Sequence, residues 1–75
     1  MKHLYLEKLK RMNTEKLLEE CGRHGKVLEN EHPMTPEQRS RAYMCFKYTH
    51  ARAELDDDTK RMLETAIRVL RLLQG

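Results

Sequence analysis

Two residue pairs have the types and spacing for chemistry: Cys21-x-x-His24 and Cys45-x-x-x-x-His50. Thiolate and imidazole are the ligands that zinc takes in small domains, and His3 and His32 are further donors. On a helix, positions three apart share a face, so Cys21 and His24 can converge. Cys45 and His50 are five apart and point in different directions. Zinc modules use tighter pairs placed around a turn. A plainer reading accounts better for all four residues, with both cysteines as small buried hydrophobes and the histidines at the surface. No metal or cofactor is expected.

Nucleophilic catalysis finds less support. The one serine, Ser40, sits between Arg39 and Arg41 without a glycine elbow. Cys45 has His50 near it in sequence, but helical geometry denies the pair a hydrogen bond. Asp56-Asp57-Asp58 lacks the alternating ligands and glycine turn of a calcium loop, and helix capping explains it more simply. Gly22-Arg-His-Gly25 is neither preceded by a strand pattern nor followed by Lys-Ser/Thr, so it is not a phosphate loop. The chain is not expected to be an enzyme.

The elements that would position these residues are helices. Leu4, Tyr5, Leu6, Leu9 and Met12 repeat at helical spacing, and Leu17, Leu18, Cys21 and Leu28 continue it about one residue out of phase. The slip falls at Asn13-Thr14, where either residue is a favoured N-cap, so a first helix over about 3–29 is kinked or split there. Gly22 and Gly25 weaken its middle and would let another backbone approach closely. Asn30-Glu-His-Pro-Met-Thr-Pro36 is the strongest loop signal. Pro33 disfavours a helical His32, Pro36 suits the first helical position after Thr35, and Gln38 completes a capping box. A second helix then runs over about 36–54, and a third, capped by the aspartates, over about 58–74. No strand pattern is seen.

The expected fold is therefore all-α, a small three-helix bundle forming one domain over residues 1–75, with short connections and antiparallel neighbours. A chain of 75 residues is near the lower limit for a self-sufficient core. Its 36% charged residues and mean hydropathy of -0.87 suit a solvated helical surface. No apolar run approaches a membrane span, and charges interrupt the opening residues where a signal peptide would need an apolar core. Those two features, with only two cysteines, point to a cytoplasmic chain with reduced thiols.

The middle helix is apolar on two sides. Ala42, Phe46, Thr49 and Ala53 form one stripe, with Tyr43, Cys45 and His50 beside it, while Met44, Tyr48, Ala51 and Leu55 lie roughly opposite. Such a helix is packed on both sides, as a central layer or against a partner. In the last helix Met62, Leu63, Ala66, Val69, Leu70 and Leu73 share a face that Ile67 and Leu72 widen well beyond a typical surface-helix stripe. Leu70 is expected at the centre of the core.

This apolar surplus, with five methionines, points to a small regulator or adaptor working through helix-mediated contact with another protein or as a homodimer. The expected contact residues are Met44, Tyr48, Leu55, Met62, Ile67, Val69, Leu72 and Leu73. The rival reading is a nucleic-acid-binding regulator using Arg39, Arg41, Lys47 and Arg52 of the middle helix. A net charge of +3 is modest, the charges are interspersed, and these four do not share one free face. Protein contact is the better-supported reading.

Overall fold

Asn13 divides the N-terminal apolar pattern into two separate helices. Its backbone is extended (φ -78°, ψ 174°), and its side chain accepts the Lys16 N–H at 2.9 Å, so it caps a new helix rather than continuing the old one. The computed structural model describes residues 2–30 and 34–74. Within them lie α1 (Lys2–Lys10), α2 (Thr14–Glu29), α3 (Pro36–His50) and α4 (Asp57–Gln74), with no strand. Of the two expected possibilities at Asn13, a kink or a split, the split is found, so four helices stand where a three-helix bundle was expected. α1 closes with short i→i−3 bonds from the Arg11 and Met12 N–H groups, which leaves Asn13 free to cap.

α3 begins where its sequence requires. Thr35 accepts the Gln38 N–H at 3.1 Å while the Gln38 side chain accepts the Thr35 N–H at 2.8 Å, and Pro36 follows the cap. Met34, just before the cap, is buried and ties the loop to the core. His32 and Pro33 lie outside the described residues, as does the His3 side chain.

The far end of α3 differs from expectation. It stops at His50, four residues short of 54, because the turn at Arg52 is held by tertiary partners. The Arg52 guanidinium binds Glu54 at 2.9 Å and Thr14 of α2 at 3.2 Å. Ala53 is therefore exposed beyond the helix rather than part of its packed stripe. α4 then starts on Asp56, whose carboxylate accepts the Thr59 N–H at 2.8 Å. Hydrogen bonding by Thr59 holds that carboxyl below its usual range.

α3 is the central element: α1, α2 and α4 each pack against it. The core joins Leu9 of α1, Leu17 and Cys21 of α2, Ala42, Cys45 and Phe46 of α3, and Leu63, Ile67 and Leu70 of α4. Leu70 is fully buried, as expected. The molecule measures 31 × 29 × 18 Å, and its thin dimension is about two helix layers. Three helices laid on one leave their outer sides open. No described helix is long and apolar enough to cross a membrane.

Candidate functional site

α2 and α4 pack on α3 rather than on each other, and a groove of about 690 Å³ runs between them. Phe46, Cys21 and Leu63 form its floor. Leu18, Gly22 and Gly25 line the α2 side, and Met62, Ala66 and Val69 the α4 side. Both glycines belong to continuous helix with ordinary negative φ, and a Cβ at either would meet nothing within 4 Å. Among the described residues, no backbone fills the space that the glycines leave. The i, i+3 spacing of Gly22 and Gly25 therefore makes one smooth, side-chain-free wall. Lys26, Glu29 and Arg61 set charges of both signs along the rim.

The residues expected to meet a partner divide into three groups. Met62, Val69, Leu72 and Leu73 are exposed, with Met62 at 73% and Leu72 at 76%. Ile67, by contrast, is only 8% exposed and belongs to the core. Placing it at a partner surface is corrected, because the face of α4 turned to α3 is centred on Leu63, Ile67 and Leu70, one step around the helix from the assumed stripe. Met44, Tyr48 and Leu55 are half-buried against the chain's own core, which uses both sides of α3. The open apolar surface therefore lies along α4 and across the groove to Leu18.

The cysteine–histidine pairs part company. The His24 imidazole accepts no role beside Cys21; it turns to Tyr5, with 2.7 Å between Nε2 and the Tyr5 hydroxyl, and stacks edge-on to Phe46. His50 instead meets Glu64 of α4 at 3.0 Å. Among the described residues, no three His, Cys, Asp or Glu side chains gather as a metal-binding group. What the fold does bring together is Cys21 and Cys45, with their sulfurs 3.5 Å apart and both side chains buried. The Cys21 thiol also donates to Thr49 Oγ1 at 3.4 Å. The Cys45 hydrogen bond lowers the Cys21 thiol below its ordinary value, with Thr49 assisting, whereas the same bond and burial push Cys45 far up.

A polar cluster joins α1 to α2 and was not anticipated from spacing. The Tyr5 hydroxyl donates to Glu20 at 2.9 Å, and Glu20 receives Arg23 at 3.0 Å. Glu20 is nearly buried, so both partners answer the desolvation of its carboxylate. Arg41 of α3 stands over the Tyr5 ring at 5.8 Å. Burial first, then Arg41, hold His24 below the usual imidazole value, while Glu20 opposes them. Burial chiefly drives the Tyr5 hydroxyl above its ordinary value, so it remains a donor. Its partners lie fifteen and nineteen positions away, a separation no local motif encodes.

The four basic residues of the nucleic-acid reading are dispersed. Arg41 pairs with Glu37 at 2.7 Å, and Arg52 is held by Glu54 and Thr14. Arg39 is half-buried. Lys47 instead lies with Arg71 about the Tyr43 ring, at 6.0 and 5.9 Å, and Arg71 donates to the Tyr43 hydroxyl at 3.2 Å. A shallow hollow there is lined by Lys47, His50, Glu64, Arg68 and Arg71. Compared with protein-family models, with curated proteins and with solved structures, the chain matches none.

Proposed function

We propose that this chain is a small non-enzymatic regulator or adaptor whose working surface is the apolar groove between α2 and α4. One observation carries the reading: a glycine wall with open space in front of it faces an exposed Met62–Val69 wall, over a floor containing Phe46. A docked helix would place apolar side chains against Phe46 and its backbone against Gly22 and Gly25. Met62 adds an adaptable side chain, which suits a surface that accommodates a partner.

A second copy of the chain is the first candidate occupant. α4 carries Asp57 and Asp58 in its first turn and Arg71 in its last, so two antiparallel copies set acidic ends against basic ends. Leu72 and Leu73 then supply apolar anchors near the C-terminal end of each helix. A dimer closed in this way covers the same residues on both chains. Light scattering across the micromolar range tests it. A concentration-dependent doubling of mass supports self-association. A monomer throughout removes the homodimer and leaves a heterologous helical partner.

Nucleic-acid binding is the competing outcome. Lys47, Arg68 and Arg71 are the basic residues nearest one another on the α3–α4 side, but Glu64 lies among them. A gel shift with duplex DNA at low and moderate salt separates the readings. Tight binding that weakens steeply with salt overturns the protein-docking reading.

A further inference from the structure

The Cys21–Cys45 contact has the composition of a redox couple. The two sulfurs come from different helices, 24 positions apart, and face each other at 3.5 Å. A disulfide needs a sulfur–sulfur distance of about 2.05 Å, so closure requires a movement of roughly 1.5 Å, shared between side-chain rotation and helix approach. Access is unequal. Cys21 lies on the groove floor and is 7% exposed, whereas Cys45 is fully covered behind it. Thr49 Oγ1 stands 3.4 Å from the Cys21 sulfur and carries a hydroxyl that can turn to donate to a thiolate.

We propose that Cys21 and Cys45 form a reversible thiol–disulfide site that takes hydrogen peroxide as oxidant, with Cys21 attacking and Cys45 resolving. In the first step the Cys21 thiolate attacks one peroxide oxygen. An S–O bond forms, the O–O bond breaks, and the departing hydroxide takes up a proton as water. In the second step the Cys45 sulfur attacks the sulfenic sulfur of Cys21. An S–S bond forms, the S–O bond breaks, and the Cys45 proton leaves with the hydroxide as a second water. Two thiol sulfurs are oxidised, and one peroxide is reduced to two waters. A small dithiol reverses the bond by exchange.

The hydrogen-bond asymmetry suits these roles. The Cys45 S–H and the Thr49 hydroxyl both stabilise a negative charge on Cys21, and Cys21 titrates below its ordinary value while Cys45 titrates above. The bond would staple α2 to α3 at the residue preceding Gly22 and shift the groove floor. That last consequence rests on the docking reading above; the thiol chemistry does not.

The test uses the full reduced chain and hydrogen peroxide. Expected is a monomer lighter by two hydrogens, with neither thiol open to alkylation after denaturation. Its melting temperature should rise by roughly 15–25 °C, as a cross-link over a loop of this length implies, and fall back after dithiothreitol. Cys45→Ala should stop at a Cys21 sulfenic acid that dimedone traps, and Cys21→Ala should give little adduct. Two free thiols after peroxide, or an intermolecular disulfide as the main product, would overturn the proposal. A Cys45 adduct forming faster in Cys21→Ala than the Cys21 adduct in Cys45→Ala would overturn the assigned roles. Should either substitution unfold the chain, the wild-type mass and alkylation pattern decide alone. All readouts concern a single chain, so loss of self-association leaves them unchanged.

Discussion

The Tyr5 hydroxyl lies 2.7 Å from His24 Nε2 and gives its own proton to Glu20 at 2.9 Å. With that proton committed to the carboxylate, the imidazole must be the donor toward Tyr5, and neutral His24 carries its hydrogen on Nε2. One hydroxyl thus joins α1 to two residues of α2 a turn apart. These hydrogen bonds supplement the packing of α1 on α3.

This geometry makes stability depend on pH. Burial first, and Arg41 next, hold His24 below its ordinary value in the fold, so the unfolded chain binds the proton more readily. Stability contributed by neutral His24 is fully present above the unfolded pKa of about 6.5 and is lost as pH falls toward the lower folded value. The melting temperature should therefore drop between about pH 7.5 and pH 5. His24→Gln keeps a donor for Tyr5 but cannot titrate, and its drop should be smaller. Equal drops in both proteins would show that His24 does not govern the transition.

Tyr5→Phe removes the hydroxyl from the same cluster. Glu20 then keeps Arg23 but loses a hydrogen bond in a nearly buried setting, and the His24 N–H loses its acceptor. The expected cost is roughly 1–3 kcal/mol by chemical denaturation. Water reaching the half-buried cluster would hold the value near the lower end. A neutral result would mean the hydroxyl contributes nothing net.

Gly22 and Gly25 invite the opposite sign. Their φ angles are ordinary and, apart from the local helix backbone, no atom of the described residues would stand within 4 Å of an added Cβ, so alanine relieves helix entropy without a clash. Each Gly→Ala change should stabilise the isolated chain by about 0.5–1 kcal/mol. The double variant should also associate more weakly, since the added methyls stand in the groove. Destabilisation would show that the wall is closed in solution, and unchanged association would place the contact elsewhere.

The local signals for helices were legible because caps act at short range. Asn13, Thr35 with Gln38, and Asp56 each bind a backbone N–H three residues on, and all three mark real helix starts. The central place of α3 followed from its two apolar sides. The end of α3 was not legible, because Arg52 is held by Thr14 from across the fold. Ile67 was assigned to the wrong surface for a related reason: α4 is apolar over so wide an arc that pattern alone does not orient it. The Cys21–Cys45 contact and the Tyr5 cluster depend on helix packing, and cysteine–histidine spacing along the chain pointed elsewhere.

Leu70 and Leu72 provide the sharpest contrast within α4. Leu70 is fully buried, while Leu72, two residues later, is 76% exposed. Leu70→Ala should cost roughly 2–5 kcal/mol, whereas Leu72→Ala should stay within about 0.5 kcal/mol in the monomer. Denaturant midpoints with unchanged slopes would measure both. Comparable losses would mean that α4 is rotated from the described packing or that Leu72 is already covered by a partner under the conditions used.

Association should respond to the same helix in the reverse order. Met62 and Leu72 contribute little to the monomer core, so Met62→Lys and Leu72→Lys should leave the melting temperature of the dilute chain nearly unchanged. Each would put an uncompensated charge into an apolar contact if α4 meets a second copy, and the dimer population should collapse in light scattering at concentrations where the wild type doubles in mass. Moderate salt should alter that association only modestly, because its anchors are apolar and the charges at the helix ends are exposed. A dimer that survives both lysine substitutions would exclude α4 as its interface. A dimer dissolved by salt alone would transfer the contact to the charged helix ends.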